Sequence, residues 1–253
     1  MIGMKKFSLL LLLSTLMACG TDSVIDLTSA AKISTIERRD FSGPDRLFYY
    51  DAEGMLQREG STASNGWSYE LAYENEQLIR VSLYSSTGEL HSVATIDYHP
   101  SGTIRSIDRD LYAGEPEVRS TKHYRYTYNA RNRVRERHVS YSSDPEAVSV
   151  VRYHWRGGNI YKEAYFDENG ERTQEFFYTY DGQNNYQLGL PTSIYDPLLW
   201  GKENIVEKSY TDYTGLFDSN CLPCRTRYEY NSDGYPVEVF PSVGDNLIIT
   251  YQP

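Results

Sequence analysis

A short turn motif recurs through most of the chain and constrains its fold more than any other feature. An aromatic residue is followed by Asp, Asn, Glu or His, then by two or three small or polar residues, often including glycine, and then by an aliphatic residue. The first six copies begin 23 to 30 residues apart, so the chain is an irregular repeat with a period of about 25 residues. Copies begin at Tyr50, Tyr73, Tyr98, Tyr128, Trp155, Tyr180 and Tyr230.

Each copy of the motif predicts a turn between two strands. Asp or Asn starts such a turn by accepting hydrogen bonds from the backbone that follows it, and the later Gly or Asn adopts a positive φ. Before the turn the residues alternate, as in 124–128, where three tyrosines are separated by Arg125 and Thr127. This period of two places the rings on a core face and the charges on the other face. A second turn between copies, for example around Gly170, makes each unit a hairpin.

Successive hairpins predict an all-β protein, an antiparallel meander of Tyr-rich hairpins with roughly a dozen strands or more. So wide a sheet must coil, or curl into an open or closed barrel. The chain has 24 Tyr against 8 Phe, and tyrosine suits strands whose rings are buried and whose hydroxyls reach polar partners. The positions opposite the rings are repeatedly Arg, Glu, Thr or Asp. Because a charge at the bilayer midplane costs about 2–4 kcal/mol in a membrane barrel, the sheet is expected to be soluble rather than membrane-spanning.

Residues 1–18 are predicted to be a lipoprotein signal peptide. Lys5 and Lys6 precede an apolar stretch of about a dozen residues, fewer than the roughly 20 that a spanning helix needs. The residues Leu16, Met17, Ala18 and Cys19 fit the lipobox of bacterial lipoproteins, whose cysteine is acylated and becomes the new N-terminus. The alternative is an ordinary secretory signal with an incidental cysteine. Lipidation of Cys19 with fatty acyl chains such as palmitate would make the membrane a partner through this anchor.

The rest of the chain is predicted to have two parts. Residues 19–40, rich in Ser, Thr, Asp and Ala, are expected to be the lipidated N-terminus and a flexible tether that has room for one short ordered stretch, and residues 41–253 the repeat domain. The repeat rhythm breaks at 184–225, which we interpret as a loop insertion. This apolar insertion either plugs or covers an open sheet face or binds a ligand. In the second case the candidate ligand-binding residues are Tyr195, Trp200 and Tyr210.

Few residues indicate chemistry. Cys221 and Cys224 form a Cys-x-x-Cys pair, which after a lipoprotein signal favours a structural disulfide over a redox site. The five histidines lack the spacing of a zinc site, and neither a nucleophile elbow nor a phosphate-binding loop is present. No catalytic residue, metal or cofactor is therefore predicted. A net charge of −10 argues against nucleic acid as a partner.

Two families resemble these repeats. Units such as Tyr50, Asp51, Gly54 and Leu56 resemble YD repeats of the rearrangement-hotspot type, although the long array and C-terminal core region of those proteins are absent. The order of lipobox, irregular hairpins, loop at 188–204 and closing segment at 228–237 resembles Bacteroidetes cell-envelope lipoproteins. These belong to a domain-of-unknown-function family with a porin-like fold, and the resemblance covers most of residues 41–253. It implies a lipid-anchored protein of the outer membrane or cell surface, and it supplies no activity.

Three classes of function are compatible with these features. The favoured one is a non-catalytic binding module that recognises a glycan or a peptide with exposed aromatic rings. The alternatives are a structural component of an envelope protein complex and a hydrolase whose site no motif reveals. Because no catalytic motif is found, an enzyme is the less favoured reading.

Overall fold

The computed structural model describes residues 32–39, 46–62, 66–112, 117–188, 190–214 and 223–252. Sixteen strands make up almost all of this part of the chain. They are β1 Ile33–Arg38, β2 Arg46–Tyr50, β3 Leu56–Ser61, β4 Ser68–Glu74, β5 Gln77–Tyr84, β6 Leu90–Tyr98, β7 Ile104–Tyr112, β8 Val118–Tyr128, β9 Val134–Tyr141, β10 Asp144–Arg156, β11 Asn159–Phe166, β12 Arg172–Asn184, β13 Glu203–Asp212, β14 Cys224–Tyr230, β15 Pro236–Pro241 and β16 Leu247–Tyr251.

The sheet is a closed antiparallel barrel. Each strand pairs with its neighbours in sequence, and β1 pairs with β16 to complete the ring. The predicted all-β meander is thus confirmed, and of the sheet forms considered the closed barrel is the one that occurs. Closure gives every described strand a neighbour on both sides.

The strand that closes the barrel lies within the segment expected to be tether. β1 pairs with β2 as well as with β16, and Ile33 and Ile36 are both 2% exposed. These two inward residues are three positions apart, not two, because a register shift between Ile33 and Thr35 inserts one extra residue into the strand. The alternation typical of a strand is therefore not visible in the sequence here. No turn motif precedes this strand to mark it. Cys19 and the preceding signal segment lie outside the described residues.

The motif turns all lie at one end of the barrel, which we call the motif-turn end. Asn129 shows how the motif works, since its side-chain oxygen accepts hydrogen bonds from the backbone N–H of Arg131 and of Arg133. Asn231 accepts the equivalent pair of bonds. The later position of the turn is left-handed, with φ of 58° at Asn132 and 83° at Gly102, as the motif predicts.

Six of the seven aromatic residues that open the motif, together with Tyr228 and Tyr251, form a ring of hydrogen bonds around the motif-turn end. On every even-numbered strand, a Tyr hydroxyl or the Trp155 Nε1–H donates to a backbone carbonyl at or near the start of the preceding odd-numbered strand, over 2.5–3.1 Å. Burial raises the pKa of Tyr98 to about 12, so its hydroxyl remains a donor at neutral pH. The donors are Tyr50, Tyr73, Tyr98, Tyr128, Trp155, Tyr180, Tyr228 and Tyr251.

The two faces of the barrel wall differ as the alternation predicts. Tyr126 and Tyr178 point inward and are 5% and 6% exposed, whereas Arg125 is exposed on the outer face. The outer face carries cross-strand ion pairs, including Arg105–Asp97, Arg125–Asp108, Arg152–Glu136, Lys162–Glu175 and Arg225–Glu207. Among the described residues, no helix has both the length and the apolar character needed to cross a membrane.

Candidate functional site

The chain between β12 and β13 folds into the barrel from the motif-turn end. We call this segment, residues 185–202, the plug. Its base is held by two asparagines: the Asn185 side-chain amide donates to the carbonyls of Leu199 and Gly201, and the Asn204 amide donates to the carbonyl of Asn184. Asn204 is 2% exposed, so this junction is sealed from solvent.

Two 3₁₀ turns, Pro191–Tyr195 and Pro197–Trp200, form the body of the plug. Proline begins each turn, where its fixed φ suits a helical start and no N–H is needed. The Asp196 carboxylate accepts from the backbone N–H of Leu198, and Trp200 Nε1 donates to the carbonyl of Ser193. The buried aliphatic side chains of the plug join the barrel core; they are Leu190, Ile194 and Leu198.

The tip of the plug reaches the middle of the barrel wall. The carbonyl of Tyr195 accepts hydrogen bonds from the Tyr126 hydroxyl at 3.2 Å and from Arg137 Nη1 at 2.6 Å. The Tyr195 ring lies against Tyr124, with 5.3 Å between the centroids. Tyr124 stands near the midpoint of β8, so the plug fills one half of the interior, the plugged half. The remainder is the distal half.

A buried acid lies beside the plug tip. Glu163 is 1% exposed and accepts hydrogen bonds from the hydroxyls of Tyr178 and Tyr165 at 2.8 and 3.1 Å. Burial, aided by the negative charge of Asp196, raises the pKa of Glu163 to about 7, against the opposing effects of these hydroxyls and of Arg137. Among the residues that the structure describes, Glu163 Oε1, the Tyr153 hydroxyl and Arg137 Nε find no hydrogen-bond partner. The plugged half is therefore a tight core with an incompletely satisfied polar centre.

A carboxyl with a pKa near neutrality has the property expected of a general acid or base. Its position argues against that role here, because a substrate would have to displace the plug tip to reach a side chain that is 1% exposed. The network around Glu163 instead connects the plug to the wall through Arg137, which contacts both the Tyr195 carbonyl and, at 3.8 Å, Asp196. We interpret this network of Glu163, Arg137 and Asp196 as a polar contact that holds the plug against the wall, and we call it the polar latch.

The distal half has a different inner wall. Arg109 on β7 and Lys122 on β8 are direct cross-strand partners and face inward, on the same face as Tyr124. Arg109 Cζ lies 5.3 Å from the centroid of Tyr195. Lys122 Nζ lies 5.2 and 5.3 Å from the centroids of Tyr124 and Tyr141. The two cations thus rest on aromatic faces, the arrangement of cation–π pairs.

A second wall of the distal half repeats this combination. Lys208 on β13 is exposed, and its Nζ lies 4.3 Å from the centroid of Phe176. The Phe176 ring in turn contacts Tyr210, with centroids 5.4 Å apart. Tyr141, on the first wall, is 41% exposed. The distal half therefore presents solvent-accessible rings and positive charges inside the barrel.

The structure places the three predicted ligand-binding residues in two environments. Tyr195 and Trp200 both belong to the plug and pack on consecutive inward tyrosines of β8, Tyr124 and Tyr126. Trp200 holds the plug together through its bond to Ser193. Tyr210 lies on the β13 wall of the distal half. The Tyr195 ring lies against Arg109 of the distal half, whereas its carbonyl binds Tyr126 of the plugged half. Tyr195 therefore lies at the boundary between the two halves.

The inward-facing charged residues are what the sequence reasoning missed. Lys122 and Arg137 occupy positions on the inward, tyrosine-bearing face of their strands, and Glu163 shares that face with Tyr165. An ionisable residue at a ring position interrupts the core pattern, and this was the available signal. Arg137 lies in the charged run 135–138, a composition that by itself indicates an outer-face segment. A register shift between Tyr128 and Thr127 changes which residues of β9 face inward, so simple alternation counted from Val134 misleads.

The cysteine prediction remains a prediction. Cys224 begins β14, whereas Cys221 lies outside the described residues. In the part of the chain that the structure describes, no three His, Cys, Asp or Glu side chains are grouped so that they could hold a metal ion.

Comparison with known proteins gives likeness of fold. No family model and no curated protein matches the chain. Among solved structures it is similar to a porin-like protein from Bacteroides vulgatus, at 14% identity and a TM-score of 0.55 over 88% of this chain and 99% of that one. It is also similar to a porin-like protein from Bacteroides uniformis, at 12% identity and a TM-score of 0.52 over 88% and 98%. At these identities the comparison shows a shared porin-like barrel fold, which confirms that part of the expected resemblance.

Proposed function

We propose that the protein is a membrane-anchored envelope lipoprotein and a non-catalytic binding module whose ligand surface is the inner wall of the distal half. The observation that carries this proposal is the contrast inside one barrel. One half is filled by its own plug, whereas the other presents partly exposed Tyr141 and exposed Lys208 to solvent. Concave sites with aromatic walls and a few polar groups are the usual form of ligand sites.

The outer face supports anchoring by lipid rather than by the barrel wall. Charged side chains that alternate with the inward rings, such as Arg125 and Arg152, form ion pairs across the outer surface. Burying such charges in hydrocarbon costs about 2–4 kcal/mol each near the bilayer midplane. Acyl chains on Cys19 would instead hold the domain beside the membrane, with its outer face in water.

The chemistry of the distal wall suits a glycan or a peptide. Tyrosine rings offer apolar faces for stacking and hydroxyls for hydrogen bonds, and the adjacent Arg109 and Lys122 supply charged donors. Of the described inward carboxyls, Glu59 pairs with Arg46, Glu163 is 1% exposed beside the plug tip, and Asp212, the cross-strand partner of Gln174, accepts a hydrogen bond from the backbone N–H of Thr214.

The anchor is tested by replacing Cys19 with Ser. If Cys19 is acylated, the variant remains unprocessed or moves from the detergent phase to the aqueous phase. Normal processing together with unchanged detergent partitioning would contradict the lipoprotein assignment.

The binding function is tested by screening the processed protein, solubilised in detergent, against an array of neutral and acidic glycans and a peptide library. The wild type is compared with a Lys208→Gln/Tyr141→Ala variant, which alters only the distal wall. We expect the wild type to bind at least one probe and this variant to lose that binding. Absence of binding to every probe, or binding that the variant retains, would contradict a distal-wall binding site.

A further inference from the structure

We infer that Arg109 and Lys122 form an anion-binding element and that the ligand of the distal wall is an acidic, carboxylate-bearing oligosaccharide. This inference rests on the proposed function and narrows it to one class of ligand. It depends on three features: the direct opposition of two positive charges, the lack of a carboxylate partner for either among the described residues, and the aromatic rings around them.

Direct opposition of like charges across neighbouring strands destabilises a sheet. Arg109 and Lys122 are such a pair, and no carboxylate of the described residues forms an ion pair with either. Arg109 Nε donates to the Ser92 hydroxyl at 3.2 Å, which leaves its charge uncompensated. A bound anion between the two strands would relieve the repulsion.

The other inward arginines show that this arrangement is not required by the fold. Arg46 pairs with Glu59 at 2.6 Å, and Arg137 contacts the Tyr195 carbonyl and Asp196. Each of these has a negative or carbonyl partner inside the barrel. The Arg109–Lys122 pair stands where the plug ends and the distal half begins, so a ligand bound in the distal half can supply the negative partner that the described residues do not.

The surroundings favour a sugar acid over an acidic peptide. Tyr141 and Tyr124 flank Lys122, and Tyr195 lies under Arg109. Rings beside a guanidinium can stack on sugar faces while the guanidinium binds a carboxylate through two parallel hydrogen bonds. One common way to bind a peptide is to add it as a strand at a sheet edge, and in the described barrel every strand already has a neighbour on both sides.

The charge distribution confines an acidic ligand to the interior. The chain carries a net charge of −10, and several outer-face cations are paired with carboxylates, as Arg125 is with Asp108 and Arg152 with Glu136. An anion is therefore repelled by the outside and attracted by the distal wall.

The inference is tested by calorimetric titration of the processed protein with galacturonate oligomers, their methyl-esterified counterparts and oligoglutamate. The wild type is compared with Arg109→Gln, Lys122→Gln and the outer-face control Arg125→Gln, which removes the same charge from the same sheet. We expect the galacturonate oligomers to bind, and the ester and both inner-wall variants to reduce affinity by about tenfold or more, as the loss of a charged hydrogen bond predicts. The control should bind as the wild type does.

Each other outcome has a defined meaning. Equal binding of acid and ester, or an equal loss in Arg125→Gln, would overturn the anion-binding role of the pair while leaving a binding module intact. Preference for oligoglutamate would overturn the choice of a sugar acid. If neither these probes nor the array yields any binding, the proposed function fails together with this inference. A thermal melt of each variant shows whether it is folded; since Lys122→Gln removes a repulsion, we expect it to melt no lower than the wild type.

Discussion

The plugged half and the distal half are built from the same strands, yet the surroundings of their inward side chains are opposite. In the plugged half the chain supplies its own filling, and Tyr126, Tyr178 and Ile194 are almost fully buried. In the distal half the inward residues include rings that reach solvent and cations for which the described part of the chain supplies no carboxylate partner. A barrel of 16 strands is wide enough to leave an aqueous interior. The 18-residue plug fills one part of that interior as core and leaves the other part accessible to solvent.

The largest expected difference between the halves is in stability. Tyr126→Ala removes a ring that packs on Trp200 at 5.5 Å and a hydroxyl that binds the plug, and it should destabilise the fold by about 3–5 kcal/mol. Tyr141→Ala, in the distal half, should change stability by roughly 0.5 kcal/mol or less. Urea unfolding of both variants measures the contrast, and equal losses would mean that the interior is not divided as described.

The second prediction concerns the polar latch. The folded-state pKa of Glu163 is raised from 4.5 to about 7, so the fold favours the neutral carboxyl. The stabilisation associated with that proton is complete below the unfolded-state pKa and is lost as the pH rises through about 7. Relative to Glu163→Gln, the wild type should therefore lose on the order of 3 kcal/mol between pH 4.5 and pH 8. Parallel stability curves for the two proteins from pH 4.5 to 8 would contradict this.

The third prediction concerns the ring of hydrogen bonds that aromatic side chains donate around the motif-turn end. Tyr98→Phe keeps the packing but removes the hydrogen bond to the Leu78 carbonyl, so it should cost about 1 kcal/mol. Tyr141→Phe, which removes a partly exposed distal hydroxyl, is the matched control and should be close to neutral. Thermal melts compare the two, and the interpretation of the ring as a stabilising element fails if the control loses as much.

The smallest predicted effect has the opposite sign. Lys122→Gln removes half of a like-charge pair and should raise stability by about 0.2–1 kcal/mol. Arg125→Gln breaks the ion pair with Asp108 and should lower stability slightly. Chemical denaturation at low salt distinguishes the two signs, and a loss of stability in Lys122→Gln would show that the fold itself uses that charge.

Sequence reasoning predicted the features that depend on local chemistry. The Asx turns, the left-handed glycines and the alternation of rings with charges each arise within a few residues, so hairpins and the ring-lined core could be foreseen. Closure could not be chosen over an open sheet, because it depends on β1 meeting β16 across almost the whole chain. The segment Ile33–Arg38 carries no turn motif that would reveal this role.

The site was less accessible to prediction for a related reason. Which face Arg137 occupies is set by a register shift at the end of β8, and the pairing of Arg109 with Lys122 follows from the register of β7 and β8. The aromatic content of the insertion drew attention to Trp200, whose Nε1–H binds Ser193 within the plug. The cations facing the distal half gave only a weak signal, as exceptions on a face otherwise made of aromatic and aliphatic side chains.

The most direct test of the divided interior is native-state thiol labelling of single cysteines placed on either side of the plug tip. In a Cys221→Ser/Cys224→Ser background, Tyr141→Cys marks the distal half, Ile194→Cys marks the plugged half, and Arg125→Cys is the outer-face reference. The structure predicts that Tyr141→Cys reacts at a rate comparable to that of Arg125→Cys, while Ile194→Cys reacts roughly a hundredfold more slowly, because it must wait for local opening. Equal rates at Tyr141→Cys and Ile194→Cys would contradict the division of the barrel into a plugged half and an accessible one.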